Sequence, residues 1–120
     1  MSTFLKGFVY ARNGIIFLVK SERNFRVHLV VLILVIALGW YFSITRNEWL
    51  VIILTSSMIL SLEAINTSLE KLCDLYSKEE NDQIRVIKDI AGGAVLIGAF
   101  GAAIIGAIIF CPYICSYLMA

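Results

Sequence analysis

Hydrophobic positions along the chain fall into three blocks that carry no charge: residues 29–42 (LVVLILVIALGWYF), 49–62 (WLVIILTSSMILSL) and 90–110 (IAGGAVLIGAFGAAIIGAIIF). A helix needs ~20 apolar residues to cross a hydrocarbon core of ~30 Å. The third block is long enough alone. The first two become long enough with their flanks, His28 to Ile44 and Trp49 to about Asn66. The pattern predicts an all-α integral membrane fold with membrane-spanning helices over about 27–45, 49–75 and 83–118. Ahead of them, residues 3–20 read as an amphipathic helix. Phe4, Phe8, Ile15, Leu18 and Val19 supply apolar area, while Lys6, Asn13 and Lys20 recur on another face. Such a helix lies along the membrane surface with its lysines toward anionic headgroups. Residues 1–120 then form a single membrane domain.

Polar punctuation separates the blocks. Ser21–Arg26 reads as a hinge, Thr45–Glu48 as a hairpin turn, and Ser77–Asp82 as a charged turn with Asp82 as N-cap of the last helix. Trp40, Tyr41 and Trp49 form an aromatic belt near the first turn. Ala94, Gly98, Ala102 and Gly106 repeat every fourth residue, a stripe along which another helix can approach closely. Pro112 is expected to end or kink that helix.

Composition removes the soluble alternative: the chain is 60% hydrophobic with a mean hydropathy of +0.88. Its net charge of +1 is uninformative, but the distribution is not. Lys6, Arg12, Lys20, Arg23 and Arg26 precede the first span, and Lys71, Lys78, Arg85 and Lys88 lie between the second and third. Arg46 stands alone in the first connection. The positive-inside rule puts the N-terminus and the 71–89 loop on the cytoplasmic side, with Thr45–Glu48 and the C-terminus facing outward. The early residues lack an apolar run followed by a small-residue cleavage site, so no cleavable leader is expected. Nothing in the charge pattern suggests nucleic acid. Cys73, Cys111 and Cys115 have no zinc spacing and read as packing residues. His28, at the start of a span, reads as an interfacial residue rather than a ligand.

The run Leu62-Glu-Ala-Ile-Asn-Thr-Ser-Leu-Glu70 carries the candidate chemistry. From Trp49, at ~1.5 Å per residue, Glu63 lies ~21 Å along a hydrophobic helix. Asn66 and Glu70 follow at i+3 and i+7 and share its face. A carboxylate within a membrane helix costs ~2.5–3.5 kcal/mol on insertion scales and normally faces a bundle interior or wet cavity. Glu22 with its neighbours, and Lys88 with Asp89, fall at the same cytoplasmic depth on two other segments. Carboxylates and an amide are hard oxygen ligands suited to Mg²⁺, which completes its shell with water and substrate phosphates. A lysine beside them offers a point charge to phosphate, and a desolvated carboxylate suits a general base. The set points to phosphoryl transfer, in which positioning and electrostatics dominate. There is no Walker A or kinase glycine loop, so any nucleotide site is of another kind.

These residues bring the chain close to a known family. Glu22-Arg-Asn-Phe-Arg26, Glu63-Ala-Ile-Asn-Thr-Ser-Leu-Glu70 and Lys88-Asp-Ile-Ala-Gly-Gly-Ala-Val95 resemble the small prokaryotic diacylglycerol kinase family, and within it the Gram-positive undecaprenol kinase branch. The resemblance covers nearly the whole length; Gly92-Gly93, where Ala-Gly is commoner, is a small departure. It implies a homotrimer with active sites shared between protomers, phosphorylating a lipid alcohol with Mg-ATP. It further implies that Glu22 and Glu70 hold the metal, Glu63 is the base, and Asn66 and Lys88 contact the reacting phosphates. Asp89 would orient the phosphate site, and Arg12, Asn13 and Gly14 would approach the nucleotide. The products would be undecaprenyl phosphate or, with diacylglycerol as substrate, phosphatidic acid.

Two readings of other classes compete. A small proton-coupled transporter would use Glu63 as an ion relay, but it needs a carboxylate on a crossing path, whereas these charges gather at one surface. A structural assembly module built on the small-residue stripe would leave Glu22, Glu70 and Lys88 without a role.

Overall fold

The computed structural model of the protein describes residues 1–120. It is all-helical: α1 Thr3–Ser21, α2 Arg23–Phe42, α3 Arg46–Tyr76 and α4 Asp82–Met119. The last three are long and apolar enough to cross a membrane. At ~1.5 Å per residue α2 is ~30 Å long, matching a hydrocarbon core, while α3 and α4 reach ~46 and ~57 Å and overrun it. The excess of α3 lies at its polar C-terminal end.

The connections are shorter than the sequence suggests, because side chains finish the helix ends. Only Glu22 breaks the path from α1 to α2, with an extended backbone of φ −107° and ψ 111°; Arg23–Arg26 already form the first turn of α2. Arg26 Nη1 donates to the carbonyls of Val19 (3.1 Å) and Lys20 (2.9 Å), satisfying acceptors that the end of α1 leaves free. The expected six-residue hinge is therefore a bolted corner. At the far end of α2, Ser43 adopts a left-handed conformation with φ 51°, and Ile44 N–H closes on the Gly39 carbonyl at 3.1 Å. Thr45 then caps α3. Its Oγ1 accepts from Glu48 N–H, and Glu48 Oε1 accepts from Thr45 N–H, a capping box. The turn is thus Ser43–Thr45, and Arg46–Glu48 belong to α3. Tyr113 of α4 donates its hydroxyl to the same Glu48 carboxylate.

At the opposite end Asn81, not Asp82, caps α4: its Oδ1 accepts from Gln83 N–H at 2.8 Å. Nor does Pro112 end α4, which continues to Met119. Proline removes one backbone donor, and one missing bond does not halt a helix of 38 residues.

α3 is the central element, packed along α4 and, over a shorter stretch, against α2; α1 leans on α2. Ile44, Ile52, Ile109 and Phe110 form the main apolar cluster, near the Ser43–Thr45 turn. Close approach there needs Gly39, whose added Cβ would stand 2.6 Å from the Trp49 ring. Of the small-residue stripe, Gly98 meets Leu62 and Ile59 of α3, whereas Gly106 faces open space. The chain is thin, 58 × 43 × 22 Å, and its radius of gyration of 17.9 Å exceeds the ~13–14 Å of a compact chain this long. Only 15 of 120 residues are buried. Apolar surface on this scale requires lipid or further protein against it.

Candidate active site

Antiparallel packing sets the depth of the polar residues. α2 enters the bundle at Glu22 and α3 leaves it past Glu63, so the start of one helix lies level with the third quarter of the other. Glu63 is the most deeply buried of the polar side chains, at 2% exposure. His28 of α2 faces it, with Nε2 3.7 Å from Oε2. Glu22, Asn24 and Glu70 are its other polar neighbours. Two helices and the α1–α2 corner therefore bring Glu22, Glu63 and Glu70 into one electrostatic neighbourhood.

One turn further along α3, Asn66 is also buried. Its Nδ2 donates to Glu70 Oε1 at 3.3 Å, while its Oδ1 is enclosed with no partner. Thr67 Oγ1 is likewise buried and unpartnered. An enclosed polar atom without a hydrogen bond costs ~1–3 kcal/mol, so both suit a group that arrives later. No three His, Cys, Asp or Glu side chains converge closely enough to enclose a metal by themselves. The donor set offers one or two carboxylates and an amide, which fits a hard cation whose remaining ligands come from substrate and water.

Lys88 belongs to a second, adjacent group. Its Nζ donates to Asp74 Oδ1 at 2.7 Å, tying α4 to the polar extension of α3. Asp89 is exposed beside it, and both line a polar recess of about 480 Å³ against the 77–82 turn. Arg12 and Asn13 are exposed on α1. Gly14 lines a recess between α1 and α3 with Thr67 and Lys71, and the Lys71 ammonium stands 4.5 Å over the Phe17 ring.

Sequence reasoning missed His28 and Thr67. Thr67 is four residues from Glu63 and so on its face, a signal that was available. His28 was readable only as the one histidine of the chain. Also unforeseen is an apolar groove of about 390 Å³ between α2 and α4, floored by α3. It runs along the spans past Val31, Val35, Ile52 and Gly106, and one end is lined by His28. The groove therefore leads to the imidazole that faces Glu63.

An apolar groove between membrane helices whose lining includes the histidine facing a buried carboxylate, beside a cluster of acids and a lysine, defines a small polytopic membrane enzyme. Residues 9–110 match the prokaryotic diacylglycerol kinase family, and the chain belongs to that family of lipid kinases. It is 35% identical over 112 residues to the undecaprenol kinase of Bacillus subtilis, covering 93% of this chain and 91% of that one. It is 32% identical over 116 residues to a diacylglycerol kinase of Synechocystis, covering 96% of this chain and 66% of the relative. A diacylglycerol kinase of Helicobacter pylori is 30% identical over 93 residues, 78% of this chain and 73% of that one.

Proposed function

We propose that the protein transfers the γ-phosphoryl group of ATP to the hydroxyl of undecaprenol, giving undecaprenyl phosphate and ADP. The observation that carries this reading is the buried Glu63 facing His28, where the apolar groove ends. The hydroxyl-bearing end of an isoprenoid chain suits a groove lined by aliphatic and small residues, with the rest of the tail in the bilayer and the hydroxyl at the depth of Glu63. Undecaprenol is placed ahead of diacylglycerol because the similarity to the Bacillus subtilis undecaprenol kinase extends over nearly the full length of both chains.

In this mechanism Glu63 accepts the hydroxyl proton as the lipid oxygen attacks the γ-phosphorus and the bond to the ADP oxygen breaks. Asn66 and Lys88 contact phosphate oxygens, the lysine as a point charge, and Asp89 keeps that side of the site oriented. Glu22 and Glu70 are the residues that would hold Mg²⁺, which supplies neutralising charge to the phosphates when bound. Arg12, Asn13 and Gly14 on α1 approach the nucleotide from outside the spans. ATP arrives from the cytoplasm, where the basic residues place the N-terminus and the α3–α4 turn of a bacterial cell-membrane protein. α1 lies along the membrane surface as an amphipathic helix, and residues 1–120 act as one membrane domain. Three copies assemble, because one thin chain leaves its polar belt and most of its apolar surface uncovered.

A phosphoryl-transfer assay in mixed micelles, with undecaprenol and diacylglycerol offered in parallel, tests the assignment. Label on undecaprenol that requires Mg²⁺ is the expected outcome. Label mainly on diacylglycerol reverses the substrate choice, and label on neither lipid removes the kinase reading.

A further inference from the structure

The geometry points to His28 as a positioning residue for Glu63: the imidazole holds one carboxylate oxygen so that the other meets the lipid hydroxyl. This inference rests on Glu63 being the base. His28 lines the apolar groove and faces the buried carboxylate. Its side chain is 23% exposed against 3% for Glu63, so the imidazole is the more accessible of the two groups. Nε2 lies 3.7 Å from Oε2, beyond a direct hydrogen bond. Catalytic contacts that are long in the free enzyme commonly tighten when substrate fills the site, and on this inference the pair closes in that way. The backbone supports this placement. His28 lies one turn after Phe25, which is buried, and two residues after Arg26, whose guanidinium fixes the α1–α2 corner. A second consequence concerns the lipid: a hydroxyl arriving along the groove passes the imidazole before it reaches Glu63.

His28→Leu keeps the volume and apolar character of the groove but removes the ring nitrogens, whereas His28→Gln restores a donor of similar reach. Misplacing a reacting group by about 1 Å costs ~10²-fold in rate, so His28→Leu is expected to lower kcat by ~10–100-fold with KM for ATP unchanged. His28→Gln is expected to recover most of that loss. In a Glu63→Gln background, His28→Leu should add no further loss, because its effect passes through the carboxylate. Equal losses in His28→Leu and His28→Gln would overturn the inference in favour of packing. A change confined to KM for the lipid would overturn it in favour of a simple groove wall. Wild-type kcat in His28→Leu, with Glu63→Gln inactive, would sink the inference alone. Near-wild-type kcat in Glu63→Gln would remove the base reading and this one with it.

Discussion

The different roles proposed for Glu63 and Lys88 match a difference in their surroundings. Glu63 is enclosed, and a carboxylate there is retained in a membrane helix only if its chemistry offsets the cost of placing it. Lys88 is partly exposed and already hydrogen-bonded to Asp74. Lys88→Met is expected to raise KM for ATP by ~10-fold or more, since a hydrogen bond to a charged group is worth ~1.5–3 kcal/mol. Asp74→Asn removes only the lysine's resting partner and should cost less. Initial rates across ATP concentration separate the two, and a larger effect from Asp74→Asn would make the pair structural. Asn66→Leu removes both the bond to Glu70 and the enclosed oxygen. It should lower kcat and weaken metal activation together, as read from a Mg²⁺ titration. The Glu63, Asn66, Glu70 register was legible in the sequence because helical spacing alone aligns them. His28 was not, because its meaning depends on which α3 residue an antiparallel neighbour brings opposite. No local pattern encodes that.

At the level of elements, three uncharged blocks were enough to read three membrane helices, because hydrocarbon thickness fixes the length each must have. Their ends were read less well. Thr45–Glu48 reads as a turn from polarity alone, although Thr-x-x-Glu before an apolar run is itself a capping-box pattern. Of the two effects expected of Pro112, ending the helix is not seen, since α4 continues to Met119. Gly39 carries a prediction at this scale. Alanine there gains ~1 kcal/mol in helix propensity, but its Cβ would stand 2.6 and 2.8 Å from Trp49 ring atoms and 3.1 Å from Ile44. Overpacking costs ~1–3 kcal/mol, so the clash wins. Gly39→Ala should melt below wild type in detergent micelles, while Gly7→Ala, with open space around it, should melt at or above it. The reverse order would mean that the α2–α3 hairpin is looser than described.

For the whole molecule, the decisive property is incompleteness. A chain only 22 Å across in its thin direction is two helices deep, exposes most of its large apolar side chains, and gathers no enclosed metal site of its own. The proposed trimer would cover part of that surface and set a neighbour's residues against the α3 belt. Light scattering in detergent should therefore give a protein mass of three 13.4 kDa chains; a monomer with full activity would contradict the shared site. The central claim is narrower than the assembly: Glu63 takes the proton from a lipid hydroxyl. Its most direct test is the steady-state kcat of Glu63→Gln with undecaprenol and Mg-ATP in mixed micelles. General-base catalysis contributes ~10²–10⁴-fold, so kcat should fall by at least ~10²-fold while KM for ATP holds. A Glu63→Gln enzyme turning over near the wild-type rate would contradict the account.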